Sequence, residues 1–304
     1  MKTMIKQSSF AWIAVVGALA WGCKDDNDKY ERTPAQKQAD ATAAAQDNSQ
    51  IILTTQEMMD VTAGAFAEKG ITEGRTITQG RESNWGCLPS VSGSFNLNTS
   101  FADSLIYTGS ITLDYGNGDS CPDSLHRRTG KITDTFVLSV SLKNKWTFSS
   151  SETIQFEGFH KDSIQVDGIV IIKSATKTPT SVEAQEAKIT YPDGTFVSWN
   201  GILNFDFEKE HQNRDWGGKS ITVTGALNGM SRSNGAYTAT ITKGIEFKSS
   251  CSSKHRFIPL LGTVEITTDG TSATLDYGDG TCDKTYTITT GGTTTVHTWD
   301  KSPV

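Results

Sequence analysis

The chain has 304 residues, with 28 Lys and Arg against 34 Asp and Glu and a formal net charge of −6. A modestly acidic balance supplies no basic footprint for a phosphate backbone, so no nucleic-acid partner is expected. The length allows one large domain or two smaller ones, each with a full core.

Lys2 and Lys6 precede an apolar run of thirteen residues, Phe10 to Gly22. That run is too short to span a bilayer comfortably and has the layout of a secretory signal. Ala20-Trp21-Gly22-Cys23 follows the form of a lipobox. Residues 1–22 are then a signal peptide, and Cys23 is the lipidated N-terminus that holds the protein to a lipid bilayer by its acyl chains. Cleavage removes two lysines and no acids, leaving 26 basic against 34 acidic residues, net −8. Residues 24–50 contain almost no large apolar side chains, and the composition predicts a disordered tether over 23–50. The ectodomain is expected over 51–304, opening with a short helix at 54–69. There Met58, Met59, Val61, Ala65 and Phe66 share a helical face.

Beyond that helix the period changes from helical to two. Phe136, Leu138, Val140 and Leu142 alternate with polar or small residues, as do Ile164, Val166, Val170 and Ile172. Leu203, Phe205 and Phe207 repeat the pattern, followed by Tyr237, Ala239, Ile241, Ile245 and Phe247. Each set gives one apolar and one polar face, the mark of antiparallel sheet. "YPDGT" (191–195), "RSNGA" (232–236) and "DGT" (269–271) supply turn chemistry between strands. The fold class is all-β: a large antiparallel architecture of about a dozen strands, built as a sandwich, open barrel or curved meander. Two pseudo-repeats, at about 76–150 and 185–300, are suggested by a recurring motif.

That motif is "TLDYGNGDSC" at 112–121 and "TLDYGDGTC" at 274–282. Each copy reads as a strand end, a glycine turn and a cysteine. An exported chain matures where thiols oxidise, and four cysteines follow Cys23. Separations of 34 and 31 positions favour the pairs Cys87–Cys121 and Cys251–Cys282. The structural reading of the motif is a sharp turn that aims its cysteine. The sharper reading is calcium, with oxygens from Asp114, Asn117 and Asp119 in one copy and Asp276, Asp279 and Asp283 in the other. Neither copy has EF-hand spacing, so the turn is the preferred reading and no cofactor is required.

Two further candidates concern ligands. His126, Arg127 and Arg128 form a small basic spot suited to an anionic group, with a solvated loop as the plainer explanation. Trp199 and Trp216 lie beside turns and would suit a glycan platform if exposed; packing in the core is the plainer explanation. The histidines show no metal-binding spacing, and no nucleophile elbow is present.

The segments "ITLDYGNGDSCPD…RRTGKI" (111–132), "FEGFHKDSIQVDGI" (156–169), "KITYPDGTFVSWNG" (188–201), "ITVTGALNGMSRSNGAYTATITKGI" (221–245) and "LGTVEI…TLDYGDGTCDKTYTIT" (261–289) together resemble a group of surface lipoproteins of the Bacteroidota. "KDDND" after Cys23 resembles the acidic signal that directs such lipoproteins to the outer face of the outer membrane. The resemblance implies an exported, anchored, all-β protein facing the cell exterior and carries no catalytic residue across. The expectation is a non-enzymatic binding or structural module with a glycan or protein partner. The alternative is a hydrolase acting on polysaccharide or peptide.

Overall fold

The computed structural model describes residues 32–68, 89–101, 103–119, 127–141, 143, 147–207, 220–248, 251 and 258–298. The signal segment, Cys23 and the acidic run after it lie outside these residues.

The period-two alternation becomes one continuous antiparallel sheet. Its strands are β1 (Ser90–Phe101), β2 (Ser104–Asp114), β3 (Arg128–Ser141), β4 (Thr147–Lys161), β5 (Ile164–Ala175), β6 (Thr180–Thr190) and β7 (Phe196–Phe207). They continue as β8 (Ser220–Met230), β9 (Ala236–Lys248), β10 (Pro259–Thr268), β11 (Thr271–Asp279), β12 (Thr285–Thr290) and β13 (Thr293–Thr298). Spatial order equals chain order from β1 to β13, so the sheet is a pure meander and among the described residues its two outer strands do not pair. Of the three architectures open to an alternating pattern, this is the curved meander. The expected pseudo-repeats are parts of this one sheet, within a single compact unit from Thr33 onward.

The predicted turns close as their residues require. In Tyr191–Thr195, the Gly194 N–H donates to Tyr191 O at 2.9 Å and the Tyr191 N–H to Thr195 O at 2.9 Å. Ser231 and Gly235 close the next turn in the same way at 2.9 Å. Asp269 and Gly270 have φ of 46° and 74°, the left-handed pair that joins twisted strands without splaying them.

The helix is longer than the sequence pattern suggested. α1 spans Pro34–Glu68, 35 residues. It opens on a reciprocal cap: the Thr33 N–H donates to Gln36 Oε1 at 2.8 Å and the Gln36 N–H to Thr33 Oγ1 at 3.3 Å. Pro34 takes the first helical position, where its missing N–H costs nothing. The tether expected over 23–50 is therefore corrected for 34–50, which forms the first half of α1. Ala41, Ala44 and Ala45 are fully buried there, beside Ile51 and Ile52. Alanine has the best helix propensity and its small side chain allows close approach to the sheet. A rule that counts large apolar side chains overlooks both properties.

α1 packs mainly against β10, β11 and β12. Yet inner residues of strands outside that main contact, Ile154 in β4, Val197 in β7 and Val223 in β8, also have 0% exposure. They belong to one hydrophobic cluster that also contains the helix residues. The sheet must therefore fold its inner face over itself.

A seam across the strands makes that bend. Gly130, Gly168, Gly201, Gly225 and Gly262 occupy inward positions in β3, β5, β7, β8 and β10, all with positive φ between 81° and 140°. A Cβ at Gly168 would lie 2.6 Å from Ala187 Cα, and one at Gly262 would lie 2.6 Å from Ile245 Cα. Register shifts at Phe156/Phe159 in β4, Ala184/Ala187 in β6 and opposite Val223/Ala226 in β9 continue the line. Glycine kinks and bulges are the devices that curve a sheet sharply.

Candidate functional site

The two motif copies have one local design. Leu113 and Tyr115 in the first, and Leu275 and Tyr277 in the second, point into the core. The aspartate between them points outward and folds onto the turn. Asp114 Oδ1 accepts the Gly116 N–H at 2.8 Å, and Asp276 Oδ1 accepts the Gly278 N–H at 2.8 Å. Asp279 and Asp283 do likewise with the Thr281 and Thr285 N–H groups, at 3.1 and 3.0 Å. The Gly116 N–H holds the Asp114 carboxyl below its ordinary range, with Lys131 helping. Bonds from the Thr281 hydroxyl and N–H do the same for Asp279.

The copies do not come together. β2 and β11 run in opposite directions, because strands alternate along the meander. Asp114 and Asp276 thus stand at opposite ends of the sheet, and no group of three or more metal-ligating side chains occurs among the described residues. Lys131 Nζ lies 3.3 Å from Asp114 Oδ2 and brings a positive charge to the first copy. Asn117 and Asp119 are exposed in the same turn, where the Asn117 carbonyl accepts Arg127 Nη2 at 2.6 Å.

The Cys251–Cys282 disulfide forms, tying the connection between β9 and β10 to the turn after β11. The expected Cys87–Cys121 pair falls outside the described residues. The register Ser90↔Asp114 does place the start of β1 beside the end of β2, the two points from which the chain runs toward those cysteines.

The basic spot is not one patch. Arg128 is buried, with its guanidinium 5.9 Å from the Tyr115 ring centroid. Its alternating position in β3 turns it inward, so it is corrected as a surface anion contact. Arg127 remains exposed and holds the first motif's turn; His126 lies outside the described residues. Trp199 is also corrected as a sugar platform. It faces the core with 1% exposure, because it shares parity with Val197 and Leu203 on the inner face of β7. Trp216 lies outside the described residues.

Two inner features were missed in the sequence. Asp134 on β3 and Glu152 on β4 are buried on the core side. The register sets Asp134 opposite Ile154, and Glu152 opposite Phe136, so the carboxylates are diagonal neighbours. Such neighbours are typically about 7–8 Å apart. Ser150, also buried, stands next along the same face. Their signal was polar residues at apolar positions of the alternation, in Ile132-Thr133-Asp134-Thr135-Phe136 and Ser150-Ser151-Glu152-Thr153-Ile154.

The second missed feature is Asp47 of α1, which has no exposed surface. Its Oδ1 accepts Arg232 Nε at 2.6 Å and its Oδ2 accepts the Arg232 N–H at 2.9 Å. The guanidinium lies over Tyr191 at 4.6 Å. One helix side chain thus fastens the β8–β9 turn and, through Arg232, the β6–β7 turn. Burial pushes the Tyr237 phenol well up, and the Asp47 charge adds to that shift.

The outer face of the sheet has a different character. The register aligns Asn200, Asn228, Thr238, Thr267 and Ser272 side by side across β7 to β11. All but Thr267 are exposed. The result is a row of amides and hydroxyls at the strand spacing, about 4.8 Å. No family model, curated protein or solved structure matches the chain.

Proposed function

We propose that the protein is a lipoprotein anchored through Cys23 at the outer membrane and facing the cell exterior, with a non-enzymatic binding or structural role. Its binding surface is the outer face of β7–β11, and its partner is a hydroxyl-rich polymer, a surface glycan. The observation that carries this reading is the aligned row Asn200, Asn228, Thr238, Thr267 and Ser272, all but Thr267 exposed, in which Asn200 Oδ1 also accepts the Glu186 N–H at 2.8 Å and the Thr267 and Ser272 hydroxyls lie 3.3 Å apart. Weak, repeated polar contacts along such a ladder suit a polymer better than a single small ligand. The anchor is supported by the signal layout and the cysteine that follows it.

Two measurements test the proposal. Cys23→Ser is expected to move the protein from the membrane fraction to the soluble fraction and to abolish labelling by a clickable fatty acid. The triple change Asn200→Ala, Asn228→Ala, Thr238→Val is expected to lower retention on purified surface polysaccharide at least tenfold. Equal retention by both proteins sinks the glycan assignment.

One observation favours the second reading, a hydrolase. Asp134 and Glu152 are two inward carboxylates on neighbouring strands. A pair of carboxyl groups is the machinery that glycosidases use. Cleavage of polysaccharide or peptide that vanishes in Glu152→Gln would establish that reading instead.

A further inference from the structure

We propose that two copies of this chain associate through β1, edge to edge and antiparallel, about a two-fold axis at Asn96. The inference stands independently of the anchor and of the glycan face.

β1 is an outer strand of the sheet, and among the described residues no strand pairs with its outer side. Soluble proteins usually protect such an edge with charge, proline or brevity. The other outer strand, β13, is short, with six residues. β1 has twelve, "SVSGSFNLNTSF", with neither a charged residue nor a proline. It also exposes two large apolar side chains on one face, Phe95 at 49% and Leu97 at 48%. Those lie on the core side of the sheet, where the Phe95 ring approaches Phe136 at 5.9 Å between centroids. The apolar surface of the core thus continues outward to the edge, where Phe95 and Leu97 are half exposed.

The occupant is specified by the strand's own pattern, which is symmetric about Asn96. An antiparallel two-fold there sets Phe95 opposite Leu97 of the second copy, and Leu97 opposite its Phe95. On the other face it sets Ser94 opposite Asn98 and Asn96 opposite Asn96. Apolar residues meet apolar residues and polar residues meet polar ones at every step of this central segment. Aromatic–aliphatic cross-strand pairs are among the favourable ones. The chain is net acidic, at −6, but β1 contributes no charge, so two copies meet here without like-charge repulsion. Closed two-fold pairing also consumes both edges, which prevents further growth through β1.

Cysteine placement in the full chain tests the axis. Residues directly opposite in an antiparallel pair have Cα atoms about 4.5–5.5 Å apart, within disulfide range. Under mild oxidation Asn96→Cys is expected to give a reducible band at twice the chain mass. Ser94→Cys alone is expected to give none, but to cross-link when mixed with Asn98→Cys. Leu97→Lys is expected to convert the dimer to a monomer in sedimentation velocity, with unchanged far-ultraviolet circular dichroism. A wild-type chain that sediments as a monomer even at the highest concentration of a roughly 100-fold series overturns the proposal. So does a dimer that survives Leu97→Lys, or one that cross-links equally at positions 94 and 96.

Discussion

Replacing Arg232 with alanine removes a charged partner of a carboxylate that has no exposed surface. The Arg232 backbone N–H still reaches Asp47 Oδ2, so one donor of two remains. Breaking a fully buried pair from one side costs about 3–5 kcal/mol, because the remaining charge stays desolvated. Arg232 is itself 37% exposed, so water enters part of the space it leaves, and the expected loss is smaller, about 2–3 kcal/mol. Loss of the guanidinium over Tyr191 adds about 0.5–1 kcal/mol. A total near 3 kcal/mol corresponds to a fall in Tm of about 6–12 °C for a domain of this size. The assay is a double-mutant cycle by urea unfolding. Asp47→Ala is expected to cost less than Arg232→Ala, since the freed guanidinium can turn to water. The double variant should then be more stable than the sum of the single losses predicts, by at least about 1.5 kcal/mol. A loss below about 0.5 kcal/mol for Arg232→Ala, or strict additivity in the cycle, would refute the claim that Asp47 fastens the turns electrostatically.

Four other outcomes follow from the structure. Gly262→Ala places a Cβ 2.6 Å from Ile245 Cα at a φ of 120°, and should cost at least about 2 kcal/mol in chemical unfolding; an unaffected midpoint would mean the seam tolerates side chains. Cys282→Ser opens a loop of 31 residues and should cost about 3–4 kcal/mol by the loop-closure model, measured against the oxidised wild type. The Asp279 carboxyl, held below its ordinary value by Thr281, should titrate low by NMR. Because its folded value is depressed, the stability it contributes is present above the unfolded value of 3.8 and is lost as pH falls through the folded value; a normal titration curve would contradict the turn geometry. Millimolar calcium should leave Tm unchanged, since Lys131 Nζ already lies 3.3 Å from Asp114 Oδ2 and no three metal-ligating side chains converge among the described residues. A rise of several degrees reversed by EDTA would restore the cation reading.

The sheet was legible because its physics is local. Alternation marked the inner faces of β3, β5, β7 and β9, and Asn234-Gly235 and Asp269-Gly270 marked the β8–β9 and β10–β11 turns, since each depends only on adjacent residues. Meander topology helped, because each strand pairs with its neighbour in sequence. The helix start was written in "RTPAQ", a capping box with proline at the first position, but it lay inside a stretch whose average composition reads as tether. The burial of Trp199 and Arg128 follows the parity of their own strands, whereas that of Asp47 was not legible in the same way. Its partner Arg232 lies 185 positions away. Asp134 and Glu152 stood in view as breaks in an apolar pattern, yet nothing local says that such a break faces the core.

The meander has a consequence for the order in which the protein can fold. Pairing between sequence neighbours involves short loops, so hairpin can follow hairpin as the chain appears, without long waits for distant strands. α1 is the exception. It is made before any strand, yet its partners are among the last: Thr42 meets Thr290, 248 positions later. Until β10 to β12 exist, the inner face of the growing sheet and the apolar side of α1 both remain open, as in other nascent chains whose long-range contacts form last. The interval between the first turn of helix and the final hairpins is thus when this chain is most exposed to aggregation, and when a holding chaperone would matter most to it.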